Sequence, residues 1–188
     1  MRVIAGTARS LPLKTVPGLS TRPTTDRIKE TLFNILQPRL SGCRFLDLYA
    51  GSGAIGIEAL SRGASSAVFI EKNAAAVRCI EANLAFTKLS ERAEVLRTDV
   101  ILGISSLESR KAEPFDLIFM DPPYGTGEVE RTLRKLCDSP LIHENTLIVC
   151  EESLRFDLSE ISDLPFAVVR DKRYKTNRHL FLQRNTSL

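Results

Sequence analysis

Residues 47–60 read DLYAGSGAIGIEAL and hold a complete G-x-G-x-x-G at Gly51, Gly53 and Gly56. The run before it, CRFLDLY at 43–49, is apolar enough for a strand. The stretch from 54 to about 62 has helical spacing and meets Gly63, a suitable C-cap. A glycine turn between strand and helix lets the backbone approach a ligand and sets the helix N-terminus behind it. This unit reads as the start of a Rossmann-like α/β fold, and two kinds of ligand suit it. Glu71, twenty residues past Gly51, favours a dinucleotide, because such folds keep their ribose-binding acid there. Asp47 argues the other way, since a charge inside an apolar strand is costly unless it answers a ligand or a hydrogen-bond network. A carboxylate there repels a pyrophosphate but attracts an α-ammonium or a sulfonium, the cationic groups of S-adenosylmethionine. The alternative without a ligand is that Asp47 satisfies the backbone of a neighbouring loop.

Outward from this unit the alternation continues. AVFIE (67–71) precedes an alanine-rich helix at 73–86 with Asn73 as its N-cap, and EVLRT (94–98) precedes a helical pattern to about 107. FDLIFMD (115–121) is followed by a helix at 128–137, and TLIVCEE (146–152) supplies a fifth strand. Strands and helices at this spacing predict a parallel, doubly wound sheet, and the uninterrupted apolar runs predict cover on both faces. Past residue 152 the rhythm changes. FAVVRDKRY (166–174) and RHLFLQR (178–184), linked by Lys175-Thr176-Asn177, read as a hairpin whose last strand runs antiparallel. Near the other end, RPTTDRIKETLFNIL carries the apolar stripe Ile28, Leu32, Phe33, Ile35 and Leu36. Thr24 or Thr25 caps this helix and Pro38 stops it. The expected organisation is one domain over 1–188. A basic arm covers 1–22 with a β-prone piece at 3–5, a helix covers 23–38, and the Rossmann-like core covers 43–188.

Composition narrows the class. A chain of 188 residues with 43% hydrophobic and 26% charged residues can bury one core behind a soluble surface. No apolar run spans a bilayer, and MRVIAGTARS lacks the apolar centre of a signal peptide, so a cytoplasmic location without membrane attachment is expected. Cys43, Cys79, Cys137 and Cys150 form no C-x-x-C pair, which suits reduced thiols. His143 and His179 stand far apart, so no metal site is expected. The net charge of +3 is polarised: residues 1–29 carry six bases against one acid, as do residues 170–188, leaving an acidic middle. Basic ends suit a polyanionic partner, although bases also simply solubilise surfaces.

The decisive motif is Asp121-Pro122-Pro123-Tyr124, at the carboxyl end of the fourth strand, where open α/β sheets place their sites. Both prolines lack an N–H and have fixed φ, so the sheet ladder ends and a rigid loop begins. That loop offers a carboxylate, a free carbonyl and an aromatic ring. An exocyclic amine on a base is a poor nucleophile because its lone pair is delocalised into the ring. Two acceptors, the Asp121 carboxylate and the Pro122 carbonyl, can draw such a nitrogen towards tetrahedral geometry while Tyr124 stacks on the base.

RPTTDRIKETLFNIL, FLDLYAGSGAIGIEALSRGA and FDLIFMDPPY, in this order, resemble the RsmD-like 16S rRNA guanine-N2 methyltransferases over residues 2 to about 184. The N-terminal helix motif is the discriminating segment, because the glycine loop and the D-P-P-Y motif occur in many amino methyltransferases. The resemblance implies a class I methyltransferase fold, with a seven-stranded, mostly parallel sheet, an antiparallel last strand and helices on both faces. It implies S-adenosylmethionine as donor and, as substrate, the guanine conventionally numbered 966 of 16S rRNA. The partner is then the 30S subunit or its assembly intermediate, met by a monomer. Asp47, Ala50, Gly51, Ser52 and Gly53 would cradle the methionine and ribose portions of the cofactor, and Glu71 would take the ribose hydroxyls. Lys72 and Asn73 would lie near the adenine, Asp99 would receive its amine, and Arg22 and Thr24, with Asp26, would sit by the methionine end. The alternatives are that Asp99 caps a helix and that Arg22 pairs with Asp26. The basic ends then suggest Arg2, Arg9, Lys14, Arg27, Arg173, Lys175 and Arg178 as contacts to RNA phosphates. The arm is less basic here than in many relatives, and Lys175-Thr176-Asn177 replaces their Gly-Asp-Thr turn. Other readings are a DNA adenine or protein glutamine methyltransferase, a nicotinamide oxidoreductase, and a non-catalytic rRNA assembly factor.

Overall fold

The computed structural model describes residues 1–16 and 26–185. Helix α1, Asp26–Leu40, buries Leu32, Phe33, Leu36 and Leu40 along one stripe. Its expected caps, Thr24 and Thr25, fall outside the described residues. Pro38 lies inside the helix rather than at its end. A proline this close to a C-terminus removes one ladder bond, and the fully buried Leu40 holds the last turn against the core.

Seven strands follow with helices between them. These are β1 Arg44–Leu48, α2 Ala54–Ser61, β2 Ser66–Glu71, α3 Ala74–Thr87, β3 Ala93–Arg97 and α4 Val100–Ser109. The chain continues as β4 Phe115–Met120, α5 Glu128–Leu136, β5 Ile142–Ser153, β6 Phe166–Arg173 and β7 Asn177–Arg184. The sheet order is β3-β2-β1-β4-β5-β7-β6. β1 to β5 are mutually parallel, and β7 enters between β5 and β6 antiparallel to both, as the hairpin reading requires. Asn73 caps α3, its side chain accepting from the N–H groups of Ala75 and Ala76.

Alternation along each strand divides the core into two layers. Phe45, Phe69, Phe119, Val149 and Phe181 pack under α1, α2 and α3, whereas Leu46, Ile70, Ile118, Cys150 and Leu180 pack under α4 and α5. The strand order reverses between β1 and β4, and in open α/β sheets the ligand crevice lies outside the carboxyl ends at such a point. The register pairs Leu48 with Met120, so the glycine loop and the D-P-P-Y loop leave the sheet side by side.

The arm builds no regular strand from its β-prone piece at 3–5. It folds back on itself, with Arg2 bridged to Pro12, and the N–H groups of Ile4 and Ala5 are taken by the two carboxylate oxygens of Glu58 at 2.8 and 3.0 Å. Glu58 and Lys29 are both fully buried and lie 3.1 Å apart, so one carboxylate in α2 ties the arm to α1. Among the described residues no helix is long and apolar enough to cross a membrane.

Candidate active site

β1 delivers Asp47 to the α2 side of the sheet, where it is 1% exposed and accepts the Gly56 N–H at 2.8 Å. Gly56 is needed for this approach, since a Cβ there would lie 2.3 Å from the Phe69 ring. Burial, with a smaller push from Glu71, raises the Asp47 carboxyl to about 8 against the relief given by Gly56. Of the two sequence expectations for Asp47, the backbone contact is the one the structure displays, through Gly56.

That loop is pinned from β2. Glu71 accepts the Gly51 N–H at 2.9 Å and the Asn73 N–H at 2.7 Å, spanning the turns that follow β1 and β2. Ala50 donates to the Ile70 carbonyl and Ser52 accepts from Asn83, while Gly53 closes the turn onto Ala50. Gly51 adopts φ +55° and has open space where a side chain would stand, which leaves its backbone accessible to a ligand. Lys72 is exposed beside Glu71. Asp99 caps α4 through the Ile101 N–H, the helix-capping alternative, and keeps a half-exposed carboxylate at the end of β3. Arg22 and Thr24 lie outside the described residues. Tyr49, unremarked in the sequence, holds the loop from the far side. It sits at φ +59°, unusual for an aromatic residue, and its hydroxyl bonds to Glu128 and Thr132 of α5.

Asp121 and Pro122 follow β4 directly. Among the described residues no hydrogen bond is made to the Asp121 carboxylate or the Pro122 carbonyl, whereas the Pro123 carbonyl is occupied by the Thr126 hydroxyl at 2.7 Å. Two consecutive residues thus present open acceptors at the switch point. Burial raises the Asp121 carboxyl well above the usual range, and Glu151, Asp47 and Glu152 raise it further. Tyr124 is 45% exposed, yet its hydroxyl donates to the buried Glu151 at 3.2 Å, which fixes the ring.

Glu151 is the functional residue that sequence reasoning missed. It also accepts from Asn177 at 2.6 Å and contacts the Nε2 of His179 at 3.0 Å, and His179 is fully buried with Tyr174 against its other nitrogen. The signal was present in TLIVCEE: an acid closing an apolar strand, the anomaly that drew attention to Asp47. Its partners come from the β6–β7 hairpin, and only the pairing of Glu151 with His179 brings them together.

The expected RNA contacts separate. Arg2, Arg9 and Arg27 line one groove of about 590 Å³, with Asp26 and Glu30 also in its wall. That groove shares no residue with the glycine loop or the tetrapeptide. Lys14, Arg173 and Lys175 are exposed, but Arg173 pairs with Asp171 at 2.9 Å on the sheet face opposite Asp121 and is withdrawn as an RNA contact. Arg178 must be withdrawn: it is 3% exposed, on the sheet face opposite Asp121, with Asp171 at 3.9 Å. Alternation in β7 turns it inwards together with Leu180 and Leu182.

A family model described as conserved hypothetical protein 95 matches residues 1–183. The putative rRNA methyltransferase YlbH of Bacillus subtilis is 39% identical over 165 residues, which cover 87% of this chain and 89% of that protein. Ribosomal RNA small subunit methyltransferase D of Escherichia coli K12 is 38% identical over 163 residues, 86% of this chain and 79% of the relative. Among solved structures, the putative methyltransferase yhhF of Escherichia coli superposes with a TM-score of 0.81 at 34% identity, covering 98% of this chain and 97% of that one.

Proposed function

This chain belongs to the conserved hypothetical protein 95 family, and from that premise we propose that it is an S-adenosylmethionine-dependent rRNA methyltransferase acting on the 2-amino group of a guanine in small-subunit rRNA. The relatives' names support rRNA as the substrate class. The guanine numbered 966 is the site that the family resemblance suggests. The observation that carries the amine chemistry is the pair of open acceptors, the Asp121 carboxylate and the Pro122 carbonyl, at the switch point of the sheet.

The residues around the glycine loop fit the cofactor. Carboxyls of Glu151, Asp47 and Glu152 stand around Asp121 and raise its protonation, and a cationic ligand relieves that crowding where a pyrophosphate would worsen it. Asp47, Ala50, Gly51, Ser52 and Gly53 would hold its amino-acid and ribose portions. Glu71 would hold the ribose hydroxyls, and Lys72, Asn73 and Asp99 would flank the adenine. When bound, the cofactor supplies an electrophilic methyl group on a positively charged sulfur.

The chain's own residues then prepare the nucleophile. Asp121 and Pro122 each accept one N–H of the amine, which holds the nitrogen lone pair out of conjugation and towards the donor. Tyr124, held by Glu151, presents its ring to the face of the base. Positioning contributes more here than acid catalysis, because the departing thioether is neutral. Asp121, poised by its neighbours to bind a proton, takes up the one the amine releases.

Asp121→Ala tests this assignment. Methyl transfer from labelled cofactor to undermethylated 30S particles should fall by about a hundred- to a thousandfold, the scale for loss of a key oriented group. Cofactor affinity, measured by calorimetry, should change little. Wild-type turnover by this variant would refute the role of the tetrapeptide. Nucleotide mapping of 16S rRNA from cells lacking the protein identifies the modified base. Naked DNA and a release-factor-like protein as acceptors test the other amine substrates.

A further inference from the structure

The outer edge of the sheet carries a feature that the candidate active site does not use. β6 pairs with β7 in one register from Phe166–Arg184 to Val168–Leu182, then resumes at Arg170–Phe181, so Val169 is an extra residue in a β-bulge. The shift changes which side chains face which layer. Without it Val169 would pair with Phe181, and Arg170 would turn towards the α4–α5 layer with Leu180. With it, Arg170 pairs with Phe181 and Lys172 with His179, on the face that carries Phe119 and Asp121. Asp171 and Arg173 are sent to the opposite face, where they pair with each other and approach Arg178.

The consequence is a continuous row. One step beyond the pair Met120–Cys150 come Asp121 and Glu151. Glu151 pairs with His179 and His179 with Lys172. Neighbouring strands lie about 4.8 Å apart, so Lys172 stands roughly 14 Å from Asp121 along a direct line across the sheet. Tyr174 continues this face. Its ring lies 5.9 Å from the Lys172 ammonium, and its hydroxyl meets His179. Arg170 is exposed, and neither it nor Lys172 has an ion pair among the described residues.

We propose that this edge of β6 is a phosphate rail, on which Arg170 and Lys172 hold the RNA backbone beside the nucleotide whose amine is presented to Asp121. The assignment rests on the reading of this chain as an RNA-modifying enzyme. Basic residues and bulges on edge strands also block unwanted strand pairing. That accounts for charge on the edge, but not for the separation of two unpaired bases onto the face of the tetrapeptide and an acid-paired base onto the other.

The test is the salt dependence of affinity for a single-stranded small-subunit rRNA fragment. It compares the wild-type chain, the double variant Arg170→Ala/Lys172→Ala and the control Arg173→Ala. Each phosphate contact to a single strand contributes about 0.7 to the slope of log K against log salt, so the double variant should lose about 1.4. KM for RNA should rise while kcat at saturating RNA and cofactor affinity stay as in wild type, and Arg173→Ala should keep the wild-type slope. A wild-type slope in the double variant overturns the rail even if that variant begins to self-associate, which would mark the charges as edge guards. If wild-type protein shows no salt-dependent RNA affinity, the RNA reading falls together with the rail.

Discussion

Asp121 binds its proton tightly because it is buried and because Glu151, Asp47 and Glu152 stand close by. If the ionised carboxylate is the form that accepts the amine's N–H and then its proton, kcat/KM of the free enzyme rises with pH along a limb set above the ordinary carboxylate range. Removing one neighbouring negative charge eases ionisation, so Glu151→Gln should shift that limb to lower pH. The amide oxygen can still accept from Tyr124, which separates the electrostatic effect from the loss of the tether. A pH–rate profile of both proteins decides the point, and an unmoved limb would mean that Asp121 does not control the reaction. Asp47 and Asp121 are both legible in the sequence as acids at the ends of apolar strands. Glu151 carries the same signature but acquires meaning only beside His179 and Asn177, residues more than twenty positions away that no local pattern connects to it.

Among the elements, the strands and helices of the core follow the apolar periodicities closely, because the inner strands are covered on both faces and each helix packs one stripe. The arm departs from its pattern. A β-prone piece at 3–5 remains irregular because Glu58 of α2 takes the N–H groups a strand partner would have used. Lys29, pushed by burial to release its proton more easily than an exposed lysine, keeps Glu58 as its partner. Glu58→Ala leaves that lysine with the Arg2 carbonyl but no carboxylate, and two arm N–H groups without acceptors. The expected loss is about 3–5 kcal/mol of unfolding free energy, as for breaking other buried ion pairs. Denaturant titration measures it, with faster proteolysis of the arm as a second sign. A loss under about 1 kcal/mol would show that the Glu58 contacts add little to the other contacts joining α1, α2 and the arm.

At the scale of the molecule, acids gather at the switch point and bases lie on its surroundings: the arm groove on one side and the exposed edge of β6 on the other. Such a layout draws a polyanion to the rim and a cationic cofactor to the centre. Thermal melts discriminate the cofactor without any assay of activity. S-adenosylmethionine at a hundred times its Kd should add about 2.7 kcal/mol of stability. NAD at the same concentration should leave the melting temperature unchanged, since its pyrophosphate would meet the carboxyls of the crevice. Stabilisation by NAD instead would return the glycine loop to the dinucleotide reading.

The sequence by itself determined the glycine turn, the tetrapeptide, the order of strands and helices and the reversed last strand, because each is written in local periodicity and in residues with restricted backbones. Tertiary structure decided how β7 slots between β5 and β6, the pairing that joins Glu151 to His179, the burial of Arg178 and the bulge that turns Arg170 and Lys172 towards Asp121. Those features depend on register between strands distant in the chain. A shift of one residue moves every side chain beyond it to the other face of the sheet, and no periodicity within a single strand records it.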